Sequence, residues 1–173
     1  MEEGTNRKQD FSLRENTRLL GICVRARSFG FVVIEDRTAL DCGVRTCDRP
    51  QFDDCLGDRF ERLLRTYHPS AVIVLSARSK AANHRTRITR NSIRNALRRN
   101  KQRTIRINPT ILGRHFVQYQ AATKDEIASI VAQIFPELAW RLPRKRKPWE
   151  SEHYSMSIFT AAAAVIAYVS REQ

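Results

Sequence analysis

No stretch of this sequence is both long and apolar enough to cross a bilayer. The longest candidate, near Ile158 to Val169, is short and rich in alanine, whereas a spanning helix needs about 20 apolar residues. The amino terminus carries no apolar signal core, so the chain is expected in the cytoplasm, with no membrane partner. Cysteine is sparse. Cys23, Cys42, Cys47 and Cys55 lack paired C-x-x-C spacing and have no ligand histidines close by in sequence. That argues against a zinc site. In a reducing compartment these thiols stay free. Carboxylates are scarce too: 18 acidic residues face 31 lysines and arginines, for a formal charge of +13 and a pI near 10.5. A charge this far from neutral points to a polyanionic partner, nucleic acid above all.

What is present reads as a globular chain. Its 173 residues, 42% hydrophobic and 28% charged, suit one domain with a sizeable core. Residues 1–17 are polar and charged and read as a flexible arm. Residues 18–170 read as the single domain. That domain is organised around Leu19 to Glu35, LLGICVRARSFGFVVIE, where two apolar runs flank the polar Arg25-Ala26-Arg27-Ser28. Such a pattern predicts a hairpin of central strands, with both sheet faces covered.

The elements continue in order. Asp36-Arg37-Thr38 turns the chain into a third strand over Ala39 to Cys47, completing a meander. Pro50 and Gln51 open a helix to about Tyr67, with Leu56, Phe60, Leu63, Leu64 and Tyr67 at helical spacing. Ala71 to Leu75 is a buried strand. Thr104 to Asn108 is a fifth strand, after which Pro109 and Gly113 interrupt. Thr123 and Glu126 form a capping box at the head of a helix that Pro136 ends. Leu142 to Trp149 is a basic loop flanked by proline. An alanine-rich helix from Tyr154 to Tyr168 closes the chain, its small residues suited to close packing on a sheet. The order β-β-β-α-β-α-β-α-α predicts an α/β fold, a mixed five-stranded sheet with helices on both faces.

Arg78 to Arg106 contains no acidic residue and many basic ones. A helix capped by Asn83 or Thr86 and running to about Asn100 would place Arg87, Arg90, Arg94, Arg98 and Lys101 on one face. Ile93, Ala96 and Leu97 would anchor its other face. A row of like charges repels itself unless solvent or a polyanion compensates. The bland reading is a solvated face. The absence of any carboxylate favours phosphate binding.

Several strings in this order resemble the RuvC-like Holliday-junction resolvases of the RNase H-like superfamily, from about Arg18 to Tyr168. Leu20-Gly21-Ile22-Cys23 followed by Gly30-Phe31-Val32-Val33 resembles the family's first hairpin, which usually carries aspartate where this chain has Cys23. The strand Ala71–Ser76 resembles the one ending in the family's glutamate; here the candidates are Val74, Leu75 and Ser76. Gln118 to Lys124 resembles a Gly-x-Gly-x-Ala-x-Lys segment, with Ala122 and Lys124 matching and Gln118 and Gln120 replacing both glycines. Ile158 to Ala163 resembles the start of the last helix, where acidic residues would fall at Thr160 and Ala163. The resemblance implies an RNase H-like fold, a homodimer, and an ancestral chemistry in which two magnesium ions held by carboxylates activate water. It also implies a degenerate site. Cys23 is a soft, mostly protonated ligand near neutral pH, Val74, Leu75 and Ala163 offer nothing, and Thr160 offers a neutral hydroxyl.

Three functions are consistent with these residues. The first is a RuvC-like protein that binds branched or double-stranded DNA through phosphate contacts without efficient cleavage and needs no cofactor. Its contacts would come from Arg87, Arg90, Arg94, Arg98, Lys101, Lys124, Arg144, Lys145, Arg146 and Lys147. The second is an active, magnesium-dependent junction endonuclease with relocated carboxylates, Glu150 and Glu152, assisted by His153. Against it, both glutamates read first as surface residues that balance the basic loop or favour a helix amino terminus. The third is a basic structural protein that associates with RNA. Asp41, on the third strand, reads as one half of a cross-strand ion pair.

Overall fold

The computed structural model describes residues 17–50, 52–75, 83–145, 147 and 149–172. The expected arm, apart from Thr17, lies outside these residues, as do Gln51, Ser76, Arg78, Lys80 and Arg146. Strands β1 (Arg18–Arg25), β2 (Ser28–Glu35) and β3 (Thr38–Thr46) form the antiparallel meander. β4 (Ala71–Leu75) adds to β1 in parallel, and β5 (Thr104–Ile107) adds to β4. The order is β3-β2-β1-β4-β5, so the α/β expectation of a mixed five-stranded sheet holds. The hairpin is tighter than its sequence suggests. Arg25 pairs with Ser28, which leaves only Ala26 and Arg27 in the turn. Arg27 takes the left-handed backbone (φ 57°) that closes it.

Side chains alternate across the sheet, and both faces are covered. Leu20, Ile22, Phe31, Val33 and Val72 pack under α1 (Phe52–Tyr67) and α2 (His84–Arg99). Leu19, Cys23, Val32, Ile34 and Ile73 face the other way, toward α5 (Met156–Glu172). Around α5 lie α3 (Pro109–Val117), α4 (Lys124–Ile134) and a 3-10 turn over Pro136–Arg141. The capping choices follow local chemistry. Asn83 caps α2 by accepting from the Thr86 amide at 2.8 Å, and Ile93, Ala96 and Leu97 anchor the helix as expected. The capping box of Thr123 and Glu126 starts α4.

Some boundaries differ from the sequence reading. Pro109 and Gly113 do not interrupt the chain but belong to α3. Asn108 accepts from the Thr110 amide at 2.9 Å, Pro109 occupies the first turn where its missing N–H costs nothing, and Leu112 and Phe116 bury the helix. α4 ends before Pro136 as expected, and Pro136 goes on to open the 3-10 turn. The last helix runs from Met156 rather than Tyr154, and on to Glu172 rather than Tyr168.

The alanines of α5 are fully buried, and the helix lies directly on glycines of the sheet. A Cβ on Gly21 would sit 2.6 Å from the Ala161 carbonyl oxygen, and one on Gly30 would sit 2.6 Å from the Ser157 carbonyl carbon. Backbone cannot yield as a flexible side chain can, so these two positions fix how closely α5 approaches. Gly30→Ala should therefore destabilise the protein by about 1–3 kcal/mol. Gly113→Ala, in α3 with nothing within 4 Å of the added carbon, should stabilise it by about 0.4–1 kcal/mol. Urea unfolding of the two variants checks both signs.

Candidate functional site

The alternation that points Cys23 toward α5 does the same for Arg25, two residues further along β1. At the carboxyl end of that strand the Arg25 guanidinium lies near enough to Cys23 to act on its thiol, and it donates to Oε1 of Glu152. Glu152 lies in the segment leading into α5. Its second oxygen, Oε2, accepts from Nζ of Lys124 at 2.7 Å. Lys124 is the first residue of α4, set there by the Thr123 cap. Three elements thus meet on one carboxylate, each of whose oxygens serves one cation.

Burial pushes the Glu152 carboxyl up, but hydrogen bonds from Lys124 and Arg25 and their charges outweigh it, so Glu152 titrates below its ordinary range. Burial also pushes the Cys23 thiol up, and the nearby Arg25 and Lys124 only partly offset this. Cys23 is therefore a neutral thiol near neutral pH. The cluster carries two cations and one anion beside an uncharged sulfur. Its Glu152 side chain is 19% exposed, against 36% for Arg25 and 62% for Lys124.

The remaining predicted positions divide between the two sheet faces. Leu75 packs on the side of Cys23, whereas Val74 packs on the side of α1 and α2. Of these two, Leu75 is the one placed to share a site with Cys23. Thr160 donates its hydroxyl to the Met156 carbonyl at 2.9 Å, and Ala163 is fully buried. Glu150 balances the basic loop instead, accepting from Arg144 at 3.3 Å and from the Lys147 amide at 3.0 Å. Nδ1 of His153 lies 2.6 Å from Oγ of Ser155, and its ring lies against Tyr154. Among the described residues Asp41 makes no ion pair across the strands. It accepts from the Tyr67 hydroxyl at 2.5 Å, and this bond raises the Tyr67 pKa to about 12. Magnesium needs several hard oxygen ligands in near-octahedral array. Cys23, Leu75, Thr160 and Ala163 supply no carboxylate. Among the described residues no three His, Cys, Asp or Glu side chains gather to hold a metal ion. Among the described residues, these positions supply no carboxylate set that fits a pair of dications.

The predicted basic residues form two separate surfaces. Lys124, Arg144 and Lys147 line a cleft of about 410 Å³ between the starts of α4 and α5, together with Asp125, Glu152 and His153. Lys145 lines a smaller neighbouring hollow. Arg146 is outside the described residues. Arg87, Arg90, Arg94 and Arg98 lie on α2, across the sheet from this cleft. Lys101 does not extend their row. The helix ends at Arg99, and Lys101 has a left-handed backbone (φ 48°) that closes the C-terminal turn. Sequence reasoning missed Arg25, although its spacing from Cys23 on a strand was the available signal. It also missed the exposed rings of Trp140 and Trp149, which carry Arg141 and Lys147 over their faces at 4.0 and 5.6 Å.

No protein-family model matches the chain, and no curated protein matches it in sequence. Solved structures do resemble it. RuvC from Thermus thermophilus is 16% identical, with a TM-score of 0.67 over 90% of this chain and 96% of that one. The T. thermophilus RuvC in complex with a Holliday junction substrate is 17% identical, with a TM-score of 0.66 over 90% and 96%. The yeast mitochondrial Holliday junction resolvase Ydc2 is 13% identical, with a TM-score of 0.62 over 94% of this chain and 82% of that one. The chain has the RuvC-like, RNase H-like fold. No helix among the described residues is long and apolar enough to cross a membrane.

The Glu152 pairing has a definite pH signature. Its folded-state pKa is depressed, so its contribution to stability is present above the unfolded-chain pKa and is lost as pH falls through the folded value. At pH 7, Glu152→Gln should cost about 1 kcal/mol, between the worth of exposed and buried pairs. The difference from the natural protein should shrink in acid. Urea unfolding at a series of pH values measures it.

Proposed function

We propose that this protein binds branched or double-stranded DNA through phosphate contacts and has lost the metal-dependent cleavage of RuvC-like resolvases. One observation carries the reading. Beside Cys23, where the resolvase resemblance calls for carboxylates holding dications, the chain places the cations Arg25 and Lys124 around a single carboxylate. Permanent cations repel incoming dications and attract phosphate. Without metals, neither an attacking water nor a leaving oxygen gains its usual electrostatic help.

The rest of the surface suits the same partner. The row on α2 and the cleft of Lys124, Arg144 and Lys147 offer phosphate contacts on the two sides of the sheet, as a branched or bent substrate would use. Phosphate contacts give affinity and register rather than base specificity. Trp140 and Trp149 offer exposed ring faces on which unpaired bases can stack. The proposal extends to a cytoplasmic protein, to a homodimer through the resemblance to resolvases, and to one that needs no cofactor because Cys23, Leu75, Thr160 and Ala163 supply no carboxylate cage.

One observation favours a second reading, an active nuclease with relocated ligands: Glu152 does reach the side of Cys23. Its two oxygens are already engaged by Arg25 and Lys124, and Glu150 serves the basic loop. A basic RNA-associated protein is the third reading, which competition between an RNA duplex and a DNA junction would separate.

Binding of a fluorescent four-way junction should fall steeply with salt. Changing Arg90, Arg94 and Arg98 together to glutamine should weaken it on all sequences, lowering the salt slope by about one for each phosphate no longer neutralised. In magnesium or manganese the natural protein should leave the junction uncut. Robust cleavage that Glu150→Gln or Glu152→Gln abolishes would replace this reading with the relocated-ligand nuclease. Binding unaffected by the triple change would reduce the α2 row to solvated surface.

A further inference from the structure

The ion cluster at the end of β1 has a shape that the binding reading does not require. Two cations from different elements converge on the two oxygens of one carboxylate. Arg25 comes from the sheet and Lys124 from the start of α4. A phosphodiester presents two non-bridging oxygens in a comparable fork, and guanidinium and ammonium groups bind such oxygens by charge-assisted hydrogen bonds. Lys124 and Glu152 line the cleft of about 410 Å³, where Arg144 and Lys147 add positive charge and Asp125 is the one other carboxylate among the described lining residues. The cleft is thus cationic on balance, its wall includes the protein's own anion, Glu152, and Arg25 reaches that anion from β1.

From this geometry we infer that Arg25 and Lys124 form a binding site for one nucleic-acid phosphate, which Glu152 occupies in the free protein as an intramolecular substitute. The inference rests on the DNA-binding reading and names the regulation of its central contact. An incoming phosphate takes the two cations, and the Glu152 side chain swings out toward solvent. Glu152 sits in the segment between the basic loop and α5 rather than inside a helix, so this exchange disturbs no regular element. Before displacement, Glu152 keeps the two cations neutralised and lowers affinity for any polyanion that does not reach into the cleft. A purely structural brace between β1, α4 and α5 predicts something different: removing the carboxylate lowers stability and leaves binding unchanged or weaker.

The test uses the full chain and two probes, a fluorescein-labelled four-way DNA junction at fixed salt and inorganic phosphate followed by ³¹P line broadening. Glu152→Gln should bind the junction roughly tenfold more tightly, the worth of one charge-assisted contact, and should broaden the phosphate line at lower protein concentration. Adding Lys124→Gln to that variant should remove both gains. If Glu152→Gln does not fold, Glu152→Asp serves in its place, since its carboxylate, one methylene shorter, falls short of the two cations; its gain should be smaller but of the same sign. A folded variant that binds neither probe better overturns the inference, and so does a gain that survives the removal of Lys124. If junction binding still falls in the α2 triple variant while Glu152→Gln gains nothing, the substitute is wrong and the DNA-binding reading stands. If phosphate binding improves but no junction binds, the anion site stands and the DNA-binding reading fails.

Discussion

The close approach of α5 to the first two strands is the constraint on which the rest of the molecule depends. Gly21 and Gly30 have no Cβ, and the helix above them presents serine and alanine. Its backbone therefore rests almost on the sheet. This packing does more than bury a face. It fixes the height and direction at which the chain enters α5, and so it decides where Glu152 arrives. A helix held further off by larger side chains would carry that carboxylate away from Arg25.

The chemistry at that point follows from desolvation. A half-buried carboxylate is costly to keep ionised unless donors compensate, and here two cations do so. Those cations would in turn be unfavourable together without an anion between them. Each member of the cluster makes the others tolerable, and the neutral thiol of Cys23 adds no charge. The arrangement is consistent within itself and has the opposite sign to a cage for dications.

The sheet also divides the basic surface. α2 lies with α1 on one side, where Arg99 is tied to Glu61 at 2.8 Å. The cleft residues lie on the other side with α4 and α5. Basic residues far apart in sequence are thereby grouped into two surfaces on opposite sides of the sheet.

Much of this was legible in the sequence, and the reasons are local. The hairpin, the buried strand Ala71–Leu75, the anchored face of α2 and the capping box of α4 each depend on residues within a few positions of one another, so periodicity and caps reveal them. The sequence left Val74, Leu75 and Ser76 as alternatives beside Cys23, and only the packing of the strand showed Leu75 on the side of Cys23 and Val74 on the other. Local signals could also mislead. Pro109 looked like a break when, behind Asn108, it starts a helix, and Lys101 looked like part of a row that in fact ends before it. The ion cluster was not legible at all. Arg25, Lys124 and Glu152 are widely separated in the chain, and only the packing of α5 on its glycines brings them to one point. Sequence by itself determined which residues could carry charge or pack closely. The tertiary structure decided which charges meet, because a meeting of distant segments depends on how elements stack, and no local pattern encodes that.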